Sequence, residues 1–241
     1  VRGRSCSSQA MPFIGERFPT FEGFAHATLP EIYGVDALAS ALKLSANELR
    51  SVVFENDGGH FRLQPLPRFA QARPGFGIGI ADFDLDGTLD LVLAQNSFAP
   101  EPETGGFGGG VGAVLRGLGG LRFEALPPDR AGVVIEQAGT ALVIGALDGD
   151  GVPDFVCATN DGPLRRFDTR ARVLGLAVRL AGPPGNPAAI GARLTLQDGT
   201  GRVQTRGLAA GAGHLSQAAP LAFFRVPGEG ARLVVEWPDG V

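Results

Sequence analysis

A short acidic loop that occurs twice limits this chain more than any other feature of its sequence. Asp82-Phe83-Asp84-Leu85-Asp86-Gly87-Thr88-Leu89-Asp90 sets four carboxylates around a glycine turn. Carboxylates spaced in this way are the chemistry of a hard, oxygen-preferring cation such as calcium. A weaker copy follows at Ala146-Leu147-Asp148-Gly149-Asp150-Gly151-Val152-Pro153-Asp154. Repetition outranks local propensity in deciding a fold, because a repeated unit buries its faces only by stacking on its neighbours.

In a tight loop between two strands, Asp82, Asp84, Asp86 and Asp90 offer side chains and Thr88 offers its backbone carbonyl, while Gly87 permits the sharp turn. Without a cation the carboxylates repel, and each raises the cost of ionising the next. An EF-hand opens with the same residues, but it needs flanking helices and a bidentate Glu at the twelfth position. Here the twelfth residue is Leu93, inside an apolar run. In the second loop Asp148, Asp150 and Asp154 match Asp84, Asp86 and Asp90, Val152 takes the place of Thr88, and Ala146 replaces Asp82. One charged ligand fewer predicts weaker binding there. At a dissociation constant of about 0.1 mM, about 1 mM calcium stabilises a fold by roughly 1.4 kcal/mol, which suits a structural ion.

Around the loops the chain runs twice through one pattern. Phe54 to Phe61 leads to Leu66-Pro67, then Gly77-Ile78-Gly79-Ile80, the first loop, and Leu91 to Asn96. Gly117 to Phe123 leads to Leu126-Pro127, then Leu142 to Gly145, the second loop, and Phe155 to Asn160. The apolar runs are short enough for buried strands, which predicts two side-by-side propeller blades over residues 52–168.

Residues 1–51 form a different segment. Thr28 with Glu31 and Ser45 with Glu48 match capping boxes, and Pro30 sits near a helix start, so residues 18–55 should hold two or three short helices. Leu38, Leu42, Leu49, Val52 and Val53 would form their apolar side and pack on the β structure. Residues 173–241 change pattern again, to strands over 176–180, 192–196, 203–206 and 233–237, with turn chemistry at Asp198-Gly199 and Gly182 to Gly185. This predicts a small separate β domain.

Composition excludes several functions. The net charge of -4 with scattered arginines leaves no basic footprint for nucleic acid. No apolar run approaches the roughly 20 residues of a membrane span. Gly105 to Gly120 lacks the Gly-Lys-Ser/Thr ending of a phosphate loop and reads as a flexible connection. His214 beside Ser216 lacks an orienting acid, and His26 and His60 have no paired metal spacing, so no catalytic group is expected. Cys6 and Cys157 are too few for a disulfide framework, and a bridge and two separate thiols both stay open. Beginning at Val1, the chain reads as a piece of a longer protein whose signal peptide would lie outside it.

The loop Asp82 to Asp90, preceded by Gly79-Ile80-Ala81, resembles the FG-GAP or VCBS repeats of integrin-type β-propellers, strongly in the first copy and partly in the second. Leu176 to Leu180, Ala189 to Arg193, Gln204-Thr205-Arg206, Gly211 to Gln217 and Trp237-Pro238-Asp239-Gly240 resemble the ASPIC/UnbV domain that follows such propellers in cartilage acidic protein and bacterial surface proteins. His214 stands where that family usually has an aromatic residue. The resemblance implies a mainly β protein, a partial propeller with a short helical segment and a small C-terminal β domain. It implies secretion or a cell-surface or periplasmic place, bound calcium, and a non-enzymatic adhesion or interaction role toward an extracellular protein or glycan. An accessory module of a secreted enzyme, such as one acting on carbohydrate, is the alternative.

Overall fold

The structure, a computed structural model, describes residues 3–100, 105–171, 173–211, 213–226 and 230–239. Ala212 and Gly240, two residues of the C-terminal resemblance, lie outside the described residues. The chain divides into two compact units, one formed by residues up to Leu49 with a short segment after Phe98, the other by Arg50–Phe98 and Gly106 onward. No described helix is long and apolar enough to cross a membrane.

The first unit holds five short helices: α1 (Arg4–Ala10), α2 (Phe13–Arg17), α3 (Phe21–His26), α4 (Leu29–Tyr33) and α5 (Val35–Ser40). The Thr28 box forms, its backbone N–H and hydroxyl both donating to the Glu31 carboxylate at 2.7 and 2.8 Å. Thr20 caps α3 by accepting from the Gly23 N–H. Ile14, Phe24 and Ile32 make the core, with Phe18 edge-on to Phe24. This corrects the expected apolar side. Leu42 and Leu49 are 85% and 88% exposed, and Ser45 with Glu48 starts no helix. A single turn with no buried apolar face does not offset the cost of helix nucleation.

The second unit is mainly β, built from several small antiparallel sheets. β1 (Val52–Asp57) and β2 (His60–Pro65) form a hairpin closed by Gly58 and Gly59, both at positive φ. A 3₁₀ turn, Arg68–Gln71, follows Leu66-Pro67. Then β3 (Gly75–Ala81), β4 (Asp90–Gln95), β5 (Ala113–Gly117) and β6 (Phe123–Leu126) make a four-stranded meander in sequence order. After Leu126-Pro127 comes another short helix, α6 (Pro128–Ala131), and a three-stranded sheet of β7 (Ala138–Gly145), β8 (Asp154–Asn160) and β9 (Arg165–Phe167). The acidic loops join β3 to β4 and β7 to β8. Both hairpins carry a register shift near the same place, Gly75/Ile78 and Gly139/Ala141.

Strand β4 is buried along its whole length, so both of its faces pack inside the protein. Leu91 and Leu93 pack with Leu66, Ala70, Ala113 and Leu115 on one side. Val92 and Ala94 pack with Ala81, Leu142, Phe155 and Cys157 on the other, which joins the two larger sheets. The sheets are out of phase with the sequence repeat. The hairpin β5–β6 bonds backward to β4, through Leu91↔Leu115 and Val92↔Val114, and so completes the first sheet instead of opening the second. The glycine-dense stretch is correspondingly ordered in part: residues 113–117 are β5, and buried Asn96 binds Gly110 through both amide atoms at 2.8 Å.

The C-terminal strands are β10 (Gly175–Val178), β11 (Arg193–Gln197), β12 (Val203–Gly207), β13 (Ala222–Arg225) and β14 (Arg232–Glu236). They form the pair β10–β13 and the sheet β12–β11–β14 around Leu194, Leu196, Leu208 and Phe224. In the β11–β12 turn, Asp198 Oδ1 accepts from the Thr200 N–H and hydroxyl and from the Arg202 N–H, and Gly201 takes the positive φ.

Candidate metal centre

The two acidic loops share one scaffold, bond for bond, apart from a single residue. In the first, Asp84 Oδ1 accepts from the Asp86 N–H at 3.0 Å and Asp86 Oδ1 from the Thr88 N–H at 2.7 Å. In the second, Asp148 Oδ1 accepts from the Asp150 N–H at 3.1 Å and Asp150 Oδ1 from the Val152 N–H at 2.8 Å. Backbones with positive φ also coincide, at Leu85 and Gly87 in one loop and Gly149 and Gly151 in the other. The first loop thus places a buried leucine in a left-handed conformation that its copy gives to glycine. The difference is Asp82: its Oδ2 accepts from the Gly87 N–H at 2.8 Å, a bond that Ala146 cannot make.

This arrangement brings Asp82, Asp84 and Asp86 together, with one oxygen from each lying within 4.8 Å of the others. Asp148 and Asp150 are exposed and gain no third carboxylate from position 146. Asp90 and Asp154 bond to the backbone through both oxygens. Asp90 accepts from the Phe83 N–H at 2.9 Å and the Gly117 N–H at 2.8 Å, and Asp154 from the Leu147 and Thr169 N–H groups, each at 2.8 Å. Each carboxylate therefore laces its loop to the next strand or the segment beyond it.

Asp82 is fully buried, and its Oδ1 has no hydrogen-bond partner. Burial lifts its carboxyl to about 6, against the Gly87 N–H and Arg206, with Asp86 and Asp84 adding to the rise. Burial likewise pushes Asp90 up to about 7, opposed by its two backbone donors and reinforced by Asp84 and Asp82. An orphaned buried carboxylate oxygen costs free energy unless a cation or donor reaches it. One oxygen from each of Asp82, Asp84 and Asp86 comes into this cluster, and a set of carboxylates fits a hard cation and no soft one.

One residue beside the loop was read from the sequence only as part of the C-terminal resemblance. Arg206, on β12, holds its guanidinium 3.7 Å from Asp82 Oδ2, with 14% of the side chain exposed. Strands β12 and β13 fix it there: Nε donates to the Phe223 carbonyl at 3.1 Å, Nη1 to the Thr205 carbonyl at 3.0 Å, and the group lies over the Phe224 ring. Its Nη2 is buried without a hydrogen bond. Arg206 is thus a preset counter-charge to Asp82, delivered from more than a hundred residues away. Arg202 lies against the same turn, where a Cβ on Gly87 would meet its guanidinium carbon at 2.5 Å. No local pattern in the sequence connects these arginines to the loop.

The remaining candidates gather into no site. His214 is exposed, with its ring 5.6 Å from Phe76, and its segment is a series of bends, so the strand that would align it with Ser216 does not form. Cys157 is buried, and burial raises its thiol to about 11. No curated protein matches the chain. The C-terminal strands β11 to β14, together with Arg206, fall in residues 182–241, which match the family described as ASPIC and UnbV.

Proposed function

We propose that this chain is a calcium-stabilised, non-enzymatic interaction module that works outside the cytoplasm, with calcium held in the first acidic loop. The observation that carries the metal assignment is the buried Asp82 Oδ1, without a partner beside the carboxylates of Asp84 and Asp86. Those three residues, with the Thr88 carbonyl and water, would hold the ion. The second loop lacks the Asp82 equivalent and binds more weakly or stays empty. An ion in the first loop removes the repulsion among the carboxylates and locks the β3–β4 connection, which supports structure and needs no chemistry at the metal.

In this proposal the four-stranded meander and the three-stranded sheet are consecutive blades of an FG-GAP or VCBS type array. Supporting it are the shared face between the two sheets, the duplicated loop scaffold and the duplicated register shift. The role as an adhesion or interaction module for a protein or glycan follows from the resemblance to repeat proteins that carry such a C-terminal region, of which the match over residues 182–241 supports the C-terminal part. Calorimetric titration of calcium into the chain and into Asp86→Ala tests the metal. One binding event in the parent and none in the variant is expected; equal heats in both would remove the assignment.

A further inference from the structure

The C-terminal strands reach both acidic loops, and all of these segments belong to the second unit. Two arginines meet the first loop. Arg206 on β12 stands 3.7 Å from Asp82 Oδ2, and Arg202, just before β12, lies against Gly87, where a Cβ would come within 2.5 Å of its guanidinium carbon. A third contact is uncharged. Gly175, the first residue of β10, touches both loops: a Cβ on Gly151 would meet its carbonyl oxygen at 2.6 Å, and a Cβ on Gly175 would meet Leu85 Cδ1 at 3.1 Å.

The charged contact is held by charge alone. Asp82 Oδ1 and Arg206 Nη2 are both buried without a hydrogen-bond partner, and the 3.7 Å between the two groups is too long for a hydrogen bond. Arg206 also has little freedom to turn aside, because the Phe223 and Thr205 carbonyls and the Phe224 ring hold its guanidinium. A force on that guanidinium is therefore a force on β12. Strand β12 is the outer strand of the sheet β12–β11–β14, so the C-terminal sheet bears the force at its edge.

We infer that the meeting of Arg206 with Asp82 is a latch that holds the C-terminal sheet against the first loop, and that a divalent cation in the loop releases it. A cation held by Asp82, Asp84 and Asp86 neutralises the charge that attracts Arg206 and repels the guanidinium groups of Arg206 and Arg202. The coupling is reciprocal: as far as Arg206 opposes the ion, the ion opposes Arg206. The contact at Gly175 carries no charge and stays, so the sheet lifts at β12 while β10 keeps its place. The inference rests on the calcium assignment proposed above and adds its consequence for the C-terminal region, which is latched where calcium is scarce and released where it is plentiful.

Arginine footprinting with phenylglyoxal, read by mass spectrometry on the full 241-residue chain, follows the latch directly. The Arg206 side chain is 14% exposed, so it should react slowly in EDTA and about fivefold or more faster in about 1 mM calcium. Arg193, exposed on β11, should react equally in both. In Asp82→Asn, which lacks the charge that holds the latch, Arg206 should react fast in EDTA and calcium should change nothing. In Asp86→Ala, which keeps the latch and loses the ion, Arg206 should stay slow in both buffers. Calorimetric titration of the same samples separates the two possible failures. Calcium bound by the parent with Arg206 as slow as in EDTA, or slower, overturns the latch and leaves the metal assignment standing; no calcium bound overturns both. Asp82→Asn, folded by circular dichroism, with Arg206 still slow in EDTA also overturns the latch, and the parent comparison decides if a variant does not fold.

Discussion

Arg206→Met removes the counter-charge beside Asp82, together with the guanidinium over the Phe224 ring, and keeps an unbranched apolar stem. Breaking a buried ion pair by removing one partner typically costs about 3–5 kcal/mol. Two features of this pair lower that figure. At 3.7 Å it is not a hydrogen bond. Asp82, with its carboxyl near 6, can also take up a proton at pH 7.5 for about 2 kcal/mol. The metal-free variant should therefore lose about 1–2 kcal/mol in urea denaturation in EDTA. Adding Asp82→Asn should return most of that loss, because no buried charge is then left alone. Calcium affinity should move the other way: the positive charge beside Asp82 opposes a divalent ion held by the same carboxylates, so the variant should bind calcium more tightly. A variant as stable as the parent in EDTA, with calcium binding unchanged or weaker, would refute the role of Arg206 as a built-in substitute cation.

Other outcomes rest on the same geometry. Asp82 and Asp90 titrate near 6 and 7 in the fold against an ordinary value of 3.8. Their charged forms are thus disfavoured by folding, a penalty that is complete above about pH 7 and absent below about pH 4. The metal-free protein should accordingly gain stability on acidification from pH 7.5 to 5; a fall across that window in denaturant titrations would contradict it. Gly117→Ala should cost about 3 kcal/mol, because a Cβ there overlaps the Leu89 carbonyl where the backbone N–H meets Asp90. Asn96→Ala should cost a similar amount, about 3 kcal/mol, by stranding the Gly110 N–H and carbonyl and placing alanine at φ +83. Chemical denaturation measures both, and losses under about 1 kcal/mol would show that these contacts are slack.

The acidic loops and the strands beside them were legible because their signals are local: alternate aspartates, a glycine where the turn needs positive φ, and apolar runs of strand length. The Thr28 capping box was legible for the same reason. Ser45 with Glu48 matched it in letters but lacked apolar residues with a surface to bury, and no helix formed. The phase of the sheets was not legible, since nothing in β5 states whether it pairs backward with β4 or forward. Strand β13, Ala222–Arg225, is short and buried on consecutive residues, so it shows no alternation. What Arg206 touches was the largest omission. Its meeting with Asp82 is a long-range contact inside the second unit, between β12 and the β3–β4 loop, which no spacing encodes.

Comparing melting in 1 mM calcium with melting in EDTA, for the parent and for Asp86→Ala, reaches the central claim most directly. Stabilisation of roughly 1.4 kcal/mol corresponds to about 3–5 °C for a chain of this size. The account predicts that shift in the parent and its absence in the variant. Identical melting of the parent with and without the ion, accompanied by no retained calcium, would contradict it.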